Sequence, residues 1–475
     1  MMHLTRKILN YFIILLAAAS LDLFFALSLF ASAVSSSSPS VNLPSIEEIT
    51  KNDKILILAP HPDDEAIACA GVIQKAVKAG ADIHIIFLTN GDANQLAFII
   101  YEKRLVFRKG EYLYMGEVRR KESIKAMQIL GLQSQNLIFL GYPDFGTLAI
   151  FKNYWNGGRP FKSLLSRASY VPYKENPSFG KPYIGESVLF DIEEMIRKYK
   201  PTKIFVSHPA DVNADHRAFF LFLQVALWDL QGELNPKLKV YPYLVHHKGW
   251  PLPRNFHSDL NLSPPKDMLE ADIKWQALNL DPVELKNKHQ AILTYRSQTS
   301  SSAFYLLTFA RKNELFGNFS NIILKDLSQP DQIIWTDHPD FLWEKGEGFK
   351  QTENPAAGSQ IDYSLGNGKL YVKLVLKKQP LVKDLIFYFF GYKDSATFGD
   401  MPKIRLKIIG DTIRLSDKRT QLKPQDIYYH DEGKVIIIGV PLKLLNNPQL
   451  ILTSVYASSR GVSPEVASWR TIELK

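Results

Sequence analysis

Apolar and polar residues follow two different periods along this chain of 475 residues, and the change of period divides it into two parts. In the first part, short apolar runs alternate with longer stretches whose apolar residues recur at helical spacing. These patterns predict strands at 54–59, 83–89, 137–140, 203–207 and 240–246, and helices at 65–79, 116–130, 187–200 and 214–230. Strands that alternate with helices in this order predict a three-layer, Rossmann-like α/β domain with a parallel sheet, which we place at residues 49–330.

Beyond about residue 335, apolar and polar residues alternate one by one. The clearest runs place apolar side chains at Leu370, Val372, Leu374 and Leu376, and at Ile404, Leu406 and Ile408. Such alternation predicts a separate antiparallel β-sandwich over residues 335–475. Its strand pattern and the sequence VPLKLL at 440–445 resemble accessory carbohydrate-binding sandwiches. We therefore expect it to bind glycan through aromatics such as Trp343 and Tyr392; the alternative is a domain that only stabilises its neighbour.

The N-terminal segment has the features of an export signal. Two basic residues precede an apolar run over residues 8–34, and Ala31-Ser32-Ala33 is a small-x-small cleavage sequence. This predicts a signal peptide at 1–34, a linker at 35–48 and an exported protein. The run is long enough to span a membrane, so the alternative is an uncleaved anchor, and membrane contact is expected only in that case. Asp22 in the middle of the run argues against an anchor.

Composition narrows the chemistry. Lys and Arg total 57 against 48 Asp and Glu, which gives a formal charge of +9 without any basic block, so nucleic acid is not an expected partner. Cys69 is the one cysteine, which excludes an intramolecular disulfide and a cysteine-based zinc site. Histidines and carboxylates are left as the candidate ligands and proton carriers. The sequence predicts no particular oligomeric state.

A dense polar motif follows the first predicted strand. His61-Pro62-Asp63-Asp64-Glu65 stands where the loops at the carboxyl ends of parallel strands form a ligand crevice. A helix cap would explain one of these acids but not the whole set. His61 and Asp64 are three residues apart and can converge on a metal ion. Asp63 between them points to the other side and is a candidate general base.

A second polar motif follows the fourth predicted strand. Residues 207–217 read SHPADVNADHR and lead into a helix that carries His216. His216 is the best-placed third ligand; the alternative is a helix-start histidine bonded to Asp215. Two imidazoles and one carboxylate suit a catalytic Zn²⁺, and they equally suit Fe²⁺ or another divalent metal.

These motifs have companions in a fixed order along the chain, and together they resemble the PIG-L/LmbE family of N-acetylglucosaminyl deacetylases over roughly residues 50–320. The companion motifs are Leu88-Thr89-Asn90-Gly91-Asp92, Arg119-x-x-Glu122, Leu140-Gly141-Tyr142-Pro143-Asp144 and Tyr295-Arg296-Ser297-Gln298. The resemblance implies a zinc hydrolase with His61, Asp64 and His216 as ligands and Asp63 as general base. It also implies that Arg119 and Asp144 hold the sugar, and that the substrate is an N-acetylated amino sugar of a glycan or glycoconjugate.

One position departs from the family pattern. Many relatives carry a histidine where this chain has Asn213, and that histidine is thought to assist as acid and oxyanion donor. Asparagine can donate a hydrogen bond to an oxyanion but cannot protonate a leaving amine. The candidates for that step are Asp63 itself and a histidine at the end of the fifth strand, His246 or His247. We favour His247, because it precedes the turn at Lys248-Gly249.

Two other functions use the same features. The α/β domain would be an inactive carbohydrate-binding protein if its chemistry were lost, but the intact motifs argue against that. An Fe²⁺ oxygenase uses the same ligand types, but such enzymes usually place them on a β-barrel. The aromatic-rich segment at 151–183 is expected to contact the sugar; the alternative is that it covers the sheet.

Overall fold

The computed structural model describes residues 42–105, 108–269, 271–326, 333–336, 340–344, 359–378, 383–459 and 462–475. The predicted signal peptide and most of the predicted linker lie outside the described residues, and so does the side chain of Trp343. In the described part of the chain, no helix has the length and apolar character needed to cross a membrane.

The first domain is built on a mixed sheet. Its strands are β1 Lys54–Ala59, β2 Asp82–Thr89, β3 Leu137–Tyr142, β4 Lys203–Ser207, β5 Lys239–Tyr243, β6 Ile273–Asn279 and β7 Asn313–Phe319. They lie in the order β3-β2-β1-β4-β5-β7-β6. The pairings among β1 to β5 are parallel, whereas β7 is antiparallel to both β5 and β6. The Rossmann-like α/β fold is therefore confirmed, and two antiparallel strands extend its parallel sheet.

Helices cover both faces of this sheet. They are α1 Asp64–Ala79, α2 Gln95–Glu102, α3 Lys109–Ile129, α4 Thr147–Asn153, α5 Gly185–Tyr199, α6 Ala214–Asp229, α7 Pro282–Thr294 and α8 Arg296–Leu306. Alternate residues of β1 enter two different cores. Ile55 and Ile57 pack in the core that includes α1 and α7, and Leu56 and Leu58 pack in the core that includes α5 and α6. Because both faces are buried, the strand reads as a continuous apolar run.

Helix α7 begins with a complete capping box, which fixes it beside α1. The Asp281 carboxylate accepts hydrogen bonds from the backbone N–H groups of Val283 and Glu284, both at 2.8 Å. In return, Glu284 accepts one from the Asp281 N–H at 2.9 Å, and it also pairs with Lys75 of α1 at 2.9 Å. The first residues of α7 are thus held both to their own cap and to the helix that follows the polar motif.

We expect Asp281→Ala to lower the free energy of unfolding by about 1 kcal/mol, within a range of roughly 0.5–2 kcal/mol, because two backbone donors lose their acceptor. Asp281→Asn keeps a side-chain oxygen at the cap and should stay close to wild type. Urea unfolding of the three proteins measures the difference. Equal stabilities of the alanine and asparagine variants would contradict the capping role.

The second domain is a largely antiparallel sheet. Its strands are β8 Ile322–Leu324, β9 Asp340–Glu344, β10 Gln360–Gly366, β11 Lys369–Val375, β12 Asp384–Tyr392, β13 Lys403–Ile409, β14 Thr412–Asp417, β15 Thr420–Leu422, β16 Tyr428–Asp431, β17 Val435–Pro441, β18 Leu450–Ser459, β19 Val462–Ala467 and β20 Arg470–Leu474. Strand β9 pairs with β10 on one side and with β19 on the other. It therefore joins the strands β10, β11, β17 and β16 to the strands β19, β18, β12, β13, β14 and β15 in one continuous sheet. Leu370 and Val372 of β11 share a core with Phe387 and Phe389 of β12. The predicted β-sandwich is confirmed, and β8, which precedes the predicted boundary at 335, pairs in parallel with its strand β20.

The two domains share one aromatic core. Phe151 of α4 and Phe222 of α6 lie with their ring centres 4.9 Å apart, and Phe151 is 6.0 Å from Phe390 of β12 and 6.4 Å from Trp469. Trp155, only 1% exposed, packs with its ring centre 4.8 Å from that of Phe398 in the sandwich. The α4–α6 face of the first domain is therefore covered by the second.

This junction changes the interpretation of several aromatic residues. Tyr392 is 3% exposed and packs against Trp228 of α6, so the expectation that its exposed ring stacks on sugars is wrong. In the segment at 151–183, Phe151 and Trp155 cover the interface between domains, whereas Tyr170 and Phe179 are exposed. Glycan binding by the second domain stays a prediction.

Candidate active site

The polar motifs of the sequence meet at one edge of the first sheet. The loops after β1, β2, β3 and β4 bring together His61, Asp92, Asp144 and His216, all of them buried. Parallel strands end at the same edge, so side chains that follow successive strands converge there. The site is thus assembled from residues that lie as far as 155 positions apart in the sequence.

The three predicted ligands lie together. The Oδ2 atom of Asp64 is 3.3 Å from Nδ1 of His61 and 3.2 Å from Nε2 of His216. One ligand atom from each of the three lies within 4.8 Å of the other two. The Asp64 carboxylate also accepts a hydrogen bond from the His61 N–H at 2.9 Å, which fixes the start of α1. This arrangement brings two imidazoles and one carboxylate to a single point.

Carboxylates flank the two histidines on their other sides. Nε2 of His61 lies 3.2 Å from Asp144 and 3.3 Å from Asp215. The Asp215 carboxylate accepts hydrogen bonds from the backbone N–H of Phe145 at 2.6 Å and of Thr147 at 3.1 Å. Asp144, which the family resemblance assigned to sugar binding, is therefore in contact with a predicted metal ligand.

Asp211 orients His216 from the other side. Its Oδ2 atom lies 3.2 Å from Nδ1 of His216 and accepts hydrogen bonds from the backbone N–H groups of Val245 and His246, at 3.1 and 2.9 Å. The carboxylate thus ties the loop after β4 to the loop after β5. A carboxylate close to the second ring nitrogen is the usual surrounding of a metal-binding histidine, and here the contact of Asp211 with Nδ1 of His216 is an electrostatic one.

The charges of this cluster suit a bound cation. Burial by itself lowers the pKa of His216, but the carboxylates of Asp211 and Asp64 outweigh it and raise that pKa to about 10. Burial opposes a raised pKa at His61 too, and Asp144, Asp215 and Asp64 lift it well above its ordinary value. The carboxylates therefore carry more negative charge than neutral imidazoles can balance. Both ring nitrogens of His216 are buried without a geometrically sound hydrogen bond among the described residues, so the donor set fits a divalent metal.

Asp63 stands beside this set but faces another way. Its φ angle is 129°, a backbone conformation that residues other than glycine rarely adopt. This backbone turns the side chain to Arg119, whose Nη2 atom is 3.1 Å from Oδ1 of Asp63. Burial raises the pKa of Asp63 to about 7, although the Arg119 charge opposes the rise. The two adjacent aspartates therefore have different partners: Asp64 contacts the two histidines, and Asp63 contacts Arg119.

Arg119 is held by backbone groups from two motifs. Its guanidinium donates hydrogen bonds to the carbonyl oxygens of Pro62 at 2.6 Å and of Gly91 at 3.1 Å. A Cβ atom on Gly91 would lie 2.3 Å from Nη1 of Arg119, and Gly91 has a φ of +67°, so glycine is required on both counts. Glu122, the other residue of the Arg119-x-x-Glu122 motif, accepts hydrogen bonds from the backbone N–H and the hydroxyl of Ser297. The contacts of Arg119 are with Asp63 and the surrounding backbone.

Sequence reasoning missed a second support of Asp63. Glu65 is fully buried and accepts hydrogen bonds from the Asp63 N–H at 2.9 Å and from the Tyr295 hydroxyl. The Tyr295 hydroxyl is also 3.3 Å from Oγ of Ser123. Burial raises the pKa of Glu65 to about 8, against the effect of the Tyr295 hydrogen bond. The Tyr295-Arg296-Ser297-Gln298 motif marked Tyr295 as a candidate site residue. The sequence did not indicate that Tyr295 contacts Glu65, because the two residues are 230 positions apart.

We expect Tyr295→Phe to lower the free energy of unfolding by about 1.5–3 kcal/mol, because a buried carboxyl group loses a hydrogen bond while the ring packing is kept. Tyr114→Phe, at an exposed position of α3, is the matched control and should be neutral. Denaturant unfolding of both variants checks the expectation. A Tyr295→Phe protein as stable as wild type would show that the Glu65 contact contributes nothing.

Of the two histidines near β5, the structure places His246 at the site. Its ring centre is 4.7 Å from that of His216, and its Nδ1 atom is 3.4 Å from the Tyr305 hydroxyl. His247 points elsewhere: its Nε2 atom is 2.9 and 3.0 Å from the two carboxylate oxygens of Asp267. The structure thus places His246, and not the favoured His247, beside His216. Strand β5 ends at Tyr243 instead of residue 246, so both histidines lie in the loop that follows it.

Asn213 is the N-cap of α6. Its side-chain oxygen accepts the hydrogen bond of the Asp215 N–H at 2.9 Å, and its own N–H is bonded to Asp211 at 2.8 Å. The oxygen of the amide is thus used inside the loop. Any contact of Asn213 with substrate would come from its NH₂ group, which fits the predicted role of hydrogen-bond donor.

Comparison with known families agrees with the motifs. Residues 56–227 match the model of the PIG-L family, described as GlcNAc-PI de-N-acetylase, so this part of the chain is a PIG-L domain. A glucosamine-6-phosphate deaminase-like protein from Bacteroides thetaiotaomicron is 23% identical over 271 residues, which make up 53% of this chain and 36% of that protein. The chain therefore spans little more than a third of the length of this curated relative.

Several solved structures are similar in part. The N,N'-diacetylchitobiose deacetylase from Pyrococcus horikoshii has 20% identity and a TM-score of 0.31, covering 52% of this chain and 72% of its own. A deacetylase in complex with teicoplanin has 18% identity and a TM-score of 0.32, covering 51% and 87%. The 4-carboxy-2-hydroxymuconate hydratase from Pseudomonas putida has 15% identity and a TM-score of 0.34, covering 57% and 98%.

Proposed function

We propose that this chain is an exported, metal-dependent hydrolase that removes acetyl groups from N-acetylated amino sugars of a glycan or glycoconjugate. The observation that carries the proposal is that the two adjacent carboxylates of His61-Pro62-Asp63-Asp64 have different contacts. Asp64 meets both histidines, whereas its neighbour Asp63 is turned away from them and held by Arg119. A carboxylate held beside a metal-ligand set, and not part of it, is the arrangement that amide hydrolysis by activated water requires.

His61, Asp64 and His216 would hold the metal, which we take to be Zn²⁺; Fe²⁺ or another divalent ion has the same donor preferences at such a set. When bound, the metal supplies Lewis acidity and lowers the pKa of a coordinated water. The chain's own contribution is to keep both histidines oriented, through Asp144 and Asp215 at His61 and through Asp211 at His216.

Asp63 would take the proton of the attacking water. Its neighbours suit this role. The Arg119 guanidinium holds the carboxylate of Asp63, and the hydrogen bond from the Asp63 backbone N–H to Glu65 holds its main chain. Burial raises the pKa of Asp63 against the opposing charge of Arg119, and a raised pKa suits a group that accepts a proton and returns it. The proton of the leaving amine would come back from Asp63 or from His246, which lies beside His216.

The alternative function is an inactive carbohydrate-binding protein. Acetate release from a panel of N-acetylated sugars and oligosaccharides, measured after loading with Zn²⁺, decides between the two. The proposal expects metal-dependent acetate release that a chelator abolishes and fresh Zn²⁺ restores. Sugar binding without acetate release, in protein that contains stoichiometric metal, would favour the alternative. Export is a separate proposal, tested by locating the protein and sequencing its mature N-terminus.

A further inference from the structure

Positive charge gathers at the junction of the two domains, on a surface that the proposed reaction does not use. On the sandwich side, Tyr388 of β12 lies directly opposite Arg405 of β13, and Lys407 follows two residues later on the same face of that strand. On the other side, Lys152 of α4 donates a hydrogen bond to the Tyr388 hydroxyl at 3.3 Å. The positive charge of Arg217 on α6 adds to the effects of burial and Arg405 that lower the pKa of Lys152, and it opposes the rise that burial causes in the pKa of Tyr388.

Arg217 forms the buried part of this cluster. The residue is 5% exposed, and its Nε atom donates a hydrogen bond to the backbone oxygen of Asp211. Its Nη2 atom is buried without a hydrogen-bond partner among the described residues, and the same holds for Nε of Arg405. A buried guanidinium donor without an acceptor carries a desolvation cost, which an anion at this position would offset.

Most of the charged side chains at this junction are positive. Burial and the positive charges of Arg405 and Arg217 lower the pKa of Lys152 to about 8. Lys407 is paired with Asp384 at 3.1 Å and so stands apart from the other three cations. Lys152 and Arg405 are each partly exposed, which leaves the cluster open to a ligand from solvent.

We propose that Lys152, Arg217 and Arg405 form a binding site for a phosphate-type oxyanion, with the Tyr388 hydroxyl as a further donor. Guanidinium groups match the geometry of phosphate oxygens, and a tetrahedral anion can accept hydrogen bonds from several directions at once. Inorganic phosphate and the phosphate group of a sugar share this chemistry. The site does not depend on the reaction proposed above, since none of its three cations belongs to the metal-ligand set.

Isothermal titration calorimetry of the full chain with inorganic phosphate, at constant ionic strength, tests the site. Arg405→Gln and Lys152→Gln are each expected to weaken phosphate binding at least tenfold. Lys125→Gln, which removes an exposed positive charge on α3, is the matched control and should bind like wild type. Phosphate that binds at the His61, Asp64 and His216 set would be unaffected by these substitutions, so the comparison isolates the junction.

The source of the oxyanion is resolved by a second set of titrations. N-acetylglucosamine 6-phosphate that binds more tightly than inorganic phosphate would identify a phosphosugar ligand, and equal affinities would identify free phosphate; glucuronate tests whether a carboxylate suffices. Because Arg217 is buried, Arg217→Lys is used with a check of the unfolding curve, and we expect weaker binding by a folded protein. Wild-type affinity in both Arg405→Gln and Lys152→Gln, or a heat signal that chloride reproduces, would overturn the proposal.

Discussion

Asp63→Asn is expected to lower kcat for acetate release by about 10²–10⁴-fold while the protein keeps its full metal content. Asparagine has the same shape as aspartate, so the substitution adds no backbone strain at this position and preserves the packing around it. What is lost is the capacity to accept a proton. Steady-state kinetics, together with metal analysis of the same preparation, measures both consequences.

The neighbouring residues provide the contrast. Asp64→Ala and His61→Ala each remove a predicted ligand, so we expect both to lose the metal as well as the activity. Arg119→Lys should keep the metal and lose part of the activity, because a single ammonium cannot reproduce the contacts of a guanidinium with Asp63, Pro62 and Gly91. A near-native rate in Asp63→Asn would show that another group is the base, and loss of metal in that variant would make Asp63 a ligand.

Trp469→Ala is expected to destabilise the whole protein by about 3–5 kcal/mol, as is typical when a large buried aromatic side chain is truncated. Trp469 is 3% exposed, and its ring centre lies 5.3 Å from that of Phe390 and 6.4 Å from that of Phe151. It therefore belongs to the core that the two domains share. A chain ending at residue 320 would expose that core entirely and is expected to aggregate or unfold.

Thermal unfolding monitored by calorimetry checks both expectations. The intact chain should unfold in one main transition, because the shared core couples the domains. Phe190→Ala, at an exposed aromatic position on α5, controls for the removal of a ring and should leave the transition temperature nearly unchanged. A soluble 42–320 fragment with its own cooperative transition would instead show that the first domain is stable alone.

The parts of the fold that the sequence predicts well are those with both faces buried. The observed β1 and β4 match the predicted strands at 54–59 and 203–207 residue for residue, because central parallel strands are unbroken apolar runs with sharp ends. Helix α2 was not predicted, since its sequence QLAFIIYE is apolar on nearly every side and shows no helical period. Strand β6 was also missed, although its buried residues Ile273, Trp275 and Ala277 alternate as a half-buried strand should.

At the site, the sequence predicted which residues meet but not what each one contacts. The convergence of His61, Asp64 and His216 follows from the rule that parallel strands end at one edge of the sheet. The pairing of Arg119 with Asp63, and of Tyr295 with Glu65, depends on side-chain directions across elements that are distant in sequence. The sequence also did not predict that His246 rather than His247 would lie beside His216, because the predicted strand ran through residue 246 and β5 ends three residues earlier.

The shared core also bears on how the chain is made. Phe151 and Phe222 are synthesised long before their partners Phe390 and Trp469, so the α4–α6 face stays uncovered until the ribosome has passed residue 469. During that interval, a folded first domain would present a large apolar surface to any neighbouring chain. Vectorial synthesis therefore makes the docking of the two domains a late step in the folding of this chain.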